Sequence, residues 1–217
     1  MKTLGAILYE NFELLDLYGP LEMFGNIGPD LQIVTVSEQQ GAIKSAQGPS
    51  AVAEFKFTDH PDLNYVLVPG GLGTFTQLNN PLILDFIRKV SATAEILMSV
   101  CSGSALFAKA GILDGKRATS NKMFFNFTAE QSGKVKWVEN ARWVEDDNIF
   151  TSSGVSAGID MALSVVSKIY GRDRAEKISI MTEYEWEMDP SIDPFAKYLN
   201  KGDIEDFLAI YSKNESA

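Results

Sequence analysis

The chain has 217 residues, 45 % hydrophobic and 22 % charged, with a formal net charge of −10. That size and balance fit one domain with a sizeable core and exclude a disordered chain, and the negative charge argues against nucleic acid or an anionic membrane as partner. A single Cys makes no intrachain disulfide, the N-terminal apolar run is too short for a signal peptide, and no stretch reaches the ~20 apolar residues of a membrane span, so a cytoplasmic protein is expected.

Leu4 to Tyr9 is a continuous apolar run, the pattern of a strand covered on both faces. A turn through Glu10-Asn-Phe-Glu leads to the stretch Leu14 to Phe24, where Pro20 fits the first turn of a helix and Leu17, Leu21 and Phe24 share one helical face. Asp16 has Leu on both sides. Either it caps the helix, or it carries a carboxyl group to the mouth of a site, with its pKa raised by burial.

Leu31 to Val36 reads as the second strand, Gln40 to Phe57 as a small β excursion, and Tyr65 to Val68 as a third buried strand. His60, the only His, precedes that strand, whereas a catalytic partner belongs near a strand's carboxyl end; a surface loop His is expected. Pro69-Gly-Gly-Leu-Gly-Thr follows directly. It lacks the full phosphate-loop patterns but suits an oxyanion donor loop, because Gly-Gly lets backbone N–H groups approach a site closely.

A helix opens at Asn80-Pro, and then comes the stretch on which the chain turns: Ile96 to Val100 as a short buried strand, Cys101, the small residues Ser102 to Ala105, and a helical run ending at Gly111. A reactive residue between strand and helix, flanked by small side chains, is the arrangement of a nucleophile elbow. The helix start favours thiolate over thiol. The plainer alternative is a small buried hydrophobe.

Beyond it, Lys122 to Glu130 reads as a helix whose aromatics and Met123 belong to core or pocket lining, Lys136-Trp-Val and Arg142-Trp-Val as short strands, and Asp146-Asp147 as a solvated turn rather than a metal site. Ser153 to Val166 starts with small residues and continues as a buried apolar helix, inside which Asp160 is a satisfied acid or a surface group; Arg172 to Glu183 is a further helix. The tail, about 185–217, is acidic and aromatic. Asn126-Phe-Thr and Asn214-Glu-Ser match a glycosylation pattern that carries no meaning in the cytosol. Alternating strands and helices point to a three-layer α/β domain over residues 1–217, with the tail appended to its core.

Five stretches together resemble the ThiJ/PfpI superfamily, the class I glutamine amidotransferase-like proteins, and within it the isocyanide hydratases. They are Leu15-Asp-Leu-Tyr-Gly-Pro, Val68-Pro-Gly-Gly-Leu-Gly-Thr, Ser99-Val-Cys-Ser-Gly-Ser, Ala110 to Thr119, and Ser153-Gly-Val-Ser-Ala-Gly-Ile-Asp, with Glu183-Tyr184 also similar. The resemblance implies a flavodoxin-like sandwich with a mostly parallel central sheet and a homodimer. It implies Cys101 as nucleophile, Asp16 as its acidic partner, Ser102 in place of a Thr that keeps the hydroxyl, and Gly71 and Leu72 in the oxyanion loop. Protease-like relatives carry a His directly after the Cys, where this chain has Ser102; the hydratases carry a His where it has Asn121 or Lys122. The stretch between Tyr184 and Phe195 is longer and more acidic than in that group, a departure that bears on pocket shape. Relatives also place this domain before a DNA-binding module, which is not expected here.

The expected function is therefore a cofactor-independent lyase, with no metal and a small-molecule substrate, that hydrates an isocyanide to an N-formamide. A glyoxalase-like or amidase-like activity on small carbonyl compounds is one alternative. A non-enzymatic oxidative sensor built on a low-pKa Cys101 is another.

Overall fold

A computed structural model describes residues 1–202; the second glycosylation-like triplet, at Asn214, lies outside the described residues. The chain begins with β1 (Lys2–Ile7), α1 (Leu14–Gly25), β2 (Leu31–Ser37), the antiparallel hairpin β3 (Gly41–Lys44) and β4 (Ser50–Ala53), and the short β5 (Phe55–Lys56). Next come β6 (Tyr65–Val68), α2 (Thr74–Gln77), α3 (Pro81–Ser91), β7 (Ile96–Ser99) and α4 (Gly103–Ala110). The second half holds β8 (Arg117–Ala118), α5 (Phe125–Ala129), β9 (Lys136–Trp137), β10 (Trp143–Asp146), β11 (Ile149–Ser152), α6 (Ala157–Tyr170) and α7 (Arg172–Met181).

Seven strands form one sheet in the order β10-β11-β7-β6-β1-β2-β5, parallel except for the β10–β11 pair. The middle strands are buried on both faces, as their unbroken apolar sequences require: β6, β7 and β11 are buried throughout. Helices α1, α6 and α7 pack together, as do α3 and α4. No helix among the described residues is long and apolar enough to cross a membrane.

The chain leaves β1 toward β2 on one side, while β6 takes the other side of β1. This reversal opens a crevice at the carboxyl ends of the central strands, where open α/β sheets bind their ligands. Four loops meet there, following β1, β6, β7 and β11.

Two local expectations are corrected. Helix α1 starts at Leu14, so Pro20 sits inside it rather than in its first turn; its missing N–H leaves the Asp16 carbonyl without the usual donor one turn on. The helix expected over Lys122–Glu130 shrinks to Phe125–Ala129, because the Asn121 side chain accepts the Phe124 N–H at 3.2 Å and holds the chain in a turn. Asp146 and Asp147 occupy the β10–β11 turn and pair with Lys116.

Candidate active site

Cys101 lies between β7 and α4 with φ +56°, a left-handed conformation uncommon for a residue with a side chain. The peptides on both sides are fixed. Its N–H donates to the Ser153 carbonyl at 3.1 Å. Its carbonyl accepts from the hydroxyls of Ser104 at 3.0 Å and Ser120 at 2.9 Å. A strained backbone held by three surrounding elements is the mark of an elbow rather than of a passive core Cys.

Asp16 is wholly buried on α1. It is not the helix cap: that position is Glu13, whose side chain makes no capping bond. Instead Asp16 Oδ2 accepts the Gly70 N–H at 2.8 Å. Oδ1 has no partner with hydrogen-bond geometry, yet the Cys101 thiol is close enough to act on the carboxyl group. Cys101 thus neighbours a buried carboxyl group that has one oxygen without a hydrogen-bond partner. Gly70 explains how the two elements meet, for a Cβ there would lie 2.6 Å from Ser102 N, 2.7 Å from Ser102 Oγ and 2.9 Å from Asp16 Oδ2.

Burial pushes the Asp16 carboxyl well above the usual carboxylate range, and the neighbouring Glu13 adds to the rise. The Cys101 thiol is also pushed well up, first by burial and then by the negative charge of Asp16; the Ser102 N–H and the Asn121 side chain act in the opposite direction. The expectation that the start of α4 favours thiolate is overturned here. One N–H group does not offset desolvation when the nearest charges are both acidic. The resting state is a thiol beside an acid that is reluctant to ionise.

Ser102 opens a chain of hydroxyls. Its Oγ lies 2.9 Å from Thr74 Oγ1, which lies 3.1 Å from the Tyr9 hydroxyl, which donates to the Pro69 carbonyl at 2.6 Å. A carbonyl only accepts, so the Tyr9 proton points to Pro69 and the Thr74 proton to Tyr9, which leaves the Ser102 proton to Thr74 or to the Gly71 carbonyl at 3.4 Å. The Gly71 N–H meanwhile donates to Ser102 Oγ at 3.1 Å. Ser102 therefore presents a lone pair, not a proton, to the site.

The loop expected to supply oxyanion donors lies against Ser102. Gly71 has φ +131°, and a Cβ there would meet the backbone of Asn11, Phe12 and Glu13, so only glycine lets this loop pass over the β1 loop. Its N–H is spent on Ser102. The Leu72 N–H has no acceptor among the described residues. Asn121 joins the site by its side chain, which lies near enough to the Cys101 thiol to favour its ionised form. Lys122 turns away, donating to Thr119 Oγ1 at 2.8 Å and the Ala141 carbonyl at 2.7 Å. His60 precedes the amino end of β6, opposite the end that carries the site, with Nδ1 2.8 Å from the Pro61 carbonyl and its ring edge-on to Phe86.

Sequence reasoning brought together Cys101, Asp16, Ser102, Gly71 and Leu72, and missed Tyr9, Glu13 and Thr74. Glu13 stands three residues before Asp16 and Thr74 two after Leu72, spacings with no chemical signature of their own. Among the described residues no group of His, Cys, Asp or Glu is placed to hold a metal ion.

Residues 2–168 match the DJ-1/PfpI family. An isonitrile hydratase of Pseudomonas putida is 34 % identical over 181 residues, covering 83 % of this chain and 78 % of that protein. The HTH-type transcriptional regulator GbdR of Pseudomonas aeruginosa is 28 % identical over 85 % of this chain, which spans 51 % of the regulator. The crystal structure of a ThiJ/PfpI family protein from Pseudomonas syringae superposes with a TM-score of 0.80 at 30 % identity, covering 98 % of this chain and 88 % of that one. With a matching fold and a family match over most of its length, the chain belongs to the DJ-1/PfpI family.

Proposed function

We propose that the protein is a cysteine-dependent lyase that hydrates isocyanides to N-substituted formamides, a cytoplasmic homodimer in keeping with the family resemblance. The observation that carries this reading is the buried pair of Cys101 and Asp16, in which a thiol neighbours a carboxyl group with one unpartnered oxygen and no basic side chain acts on either.

An isocyanide adds both halves of an S–H bond to one carbon. As Cys101 Sγ bonds to the terminal carbon, Asp16 gives its proton to that carbon and takes up the thiol proton in its place, giving a thioimidate. Water then adds to the carbon, Asp16 transfers a proton to the nitrogen, and the C–S bond breaks with the remaining proton returning to sulfur. The products are a formamide and free Cys101. A thiol kept neutral beside an acid of raised pKa suits this sequence, since every step moves one proton between the same few atoms. The Ser102 lone pair accepts from the attacking water, while the Ser102 and Leu72 N–H groups and Asn121 supply donors for charge developing on nitrogen or oxygen.

The raised thiol weighs against the oxidative sensor, which needs a thiolate at neutral pH. Supplying cyclohexyl isocyanide and methylglyoxal in parallel separates the remaining readings. Formamide formation without added cofactor supports the hydratase; methylglyoxal consumption with no formamide replaces it by the glyoxalase-like alternative.

A further inference from the structure

A cleft of about 210 Å³ is lined among others by Asn121, Ser153, Gly154, Val155, Phe195 and Tyr198, with Cys101 buried behind its wall. It adjoins the chemistry through residues that touch Cys101. Ser153, on its wall, accepts the Cys101 N–H through its carbonyl at 3.1 Å, and the Asn121 side chain lies close enough to the thiol to favour its ionised form. Its opposite wall comes from the C-terminal stretch that follows α7.

That stretch is clamped to the core by buried charge. Asp193, with its side chain wholly buried, lies 3.8 Å from Lys122 Nζ and 3.8 Å from an Arg142 guanidinium nitrogen, and Arg142 pairs with Asp160 at 2.6 Å. Asp160 in turn accepts from the Tyr184 hydroxyl at 3.1 Å and the Glu187 N–H at 3.0 Å. Further along, the Asn200 N–H donates to the Lys122 carbonyl at 2.8 Å and the Gly202 N–H to the Met123 carbonyl at 3.1 Å. Buried ion pairs add little net stability, but they fix one arrangement where it serves a purpose. Here they hold Phe195 and Tyr198, each about half exposed and with ring centroids 6.4 Å apart, against the cleft.

We propose that this cleft receives the substituent on the isocyanide nitrogen, and that Phe195 and Tyr198 select a planar aromatic group there. The inference rests on the hydratase reading and names its substrate class. An isocyanide is linear at nitrogen, so its substituent projects directly away from the carbon under attack and needs a second compartment beyond the thiol. A dry cavity of roughly 150 Å³ holds benzene, so a cleft of this size admits a single ring. Two rings fixed in advance offer edge and face contacts to a third without further ordering.

The test compares kcat/KM for phenyl and methyl isocyanide in the wild type, Phe195→Ala, Tyr198→Ala, and Ile192→Ala, the last an exposed position of the same stretch outside the cleft. Alkylation of Cys101 by N-phenyl iodoacetamide and by iodoacetamide is measured on the same proteins, because that preference needs the cleft but not hydration. Losing either ring is expected to lower the phenyl-to-methyl ratio by about 3- to 10-fold, with a parallel fall in the alkylation preference, while Ile192→Ala retains both. Formamide formation with the ratio unchanged in both ring variants would overturn the cleft assignment and leave the hydratase standing. An alkylation preference lost in the ring variants, with no formamide from any protein, would support the cleft and remove the hydratase.

Discussion

Asp16 reaches across from α1 to accept the Gly70 N–H at 2.8 Å, so the acid and the loop after β6 are fixed to each other. This contact ties the first helix to the β6 loop at the point where Ser102 begins the next turn. The second carboxyl oxygen has no hydrogen-bond partner.

Asp16→Asn separates function from stability. The folded-state pKa of Asp16 is raised, so its contribution to stability is fully present below the unfolded value near ~3.9 and is lost as pH rises through the folded value. At neutral pH the ionisable acid is a liability that Asn removes. Calorimetry from pH 4 to 8 is expected to show an equal or higher Tm with a flatter pH dependence, while kcat falls by about 10²–10⁴. A lower Tm with normal kcat would make Asp16 a structural residue.

Gly70→Ala places a methyl group against Ser102 and Asp16 at once. One of the close atoms is backbone nitrogen, which does not swing aside. A loss of at least about 10²-fold in kcat is expected, since small displacements of positioned groups carry costs of that order. Near-normal turnover would show that the acid and the elbow need not be held this closely.

The hydroxyl chain is tested by Thr74→Val and Tyr9→Phe, alone and together. Each breaks the run that points the Ser102 proton away from the site. Tyr9→Phe also leaves the buried Pro69 carbonyl without its donor, at about 1–3 kcal/mol in stability. If the chain acts as a unit, the double variant loses no more kcat than the worse single one. Fully additive losses would mean that Ser102 does not depend on its neighbours for orientation.

Much of this was readable beforehand because it rests on local pattern. Unbroken apolar runs at Leu4, Tyr65 and Ile96 mark central parallel strands, and a Cys amid small residues after such a run marks an elbow. The roles within the site were less readable. Asp16 is acidic in any reading, but whether its carboxyl caps α1 or turns inward depends on where the β6 loop passes. The thiol's direction of titration was misread, since the sequence displays the helix start yet not the depth of burial or the approach of Glu13. Tyr9 and Thr74 stay hidden for a related reason: a strand-end Tyr and a loop Thr gain meaning only when three loops converge.

Thiol titration follows from that correction. The rate of Cys101 alkylation by iodoacetamide is expected to rise with pH through an inflection above the ordinary Cys value, because burial and Asp16 both disfavour the thiolate. In Asp16→Asn the inflection should move down, as the opposing negative charge is gone. An inflection below the ordinary value in the wild type would restore the thiolate and reopen the sensor reading.

The most direct measurement is formamide formation from phenyl isocyanide by the wild type and by Cys101→Ala, followed with no added cofactor and with circular dichroism as the fold check. Ala fits the buried site and removes the nucleophile alone. The expected result is steady turnover in the wild type and the uncatalysed rate in a folded Cys101→Ala. Turnover retained in that variant would contradict covalent catalysis by Cys101, and with it the pairing of thiol and acid on which the account stands.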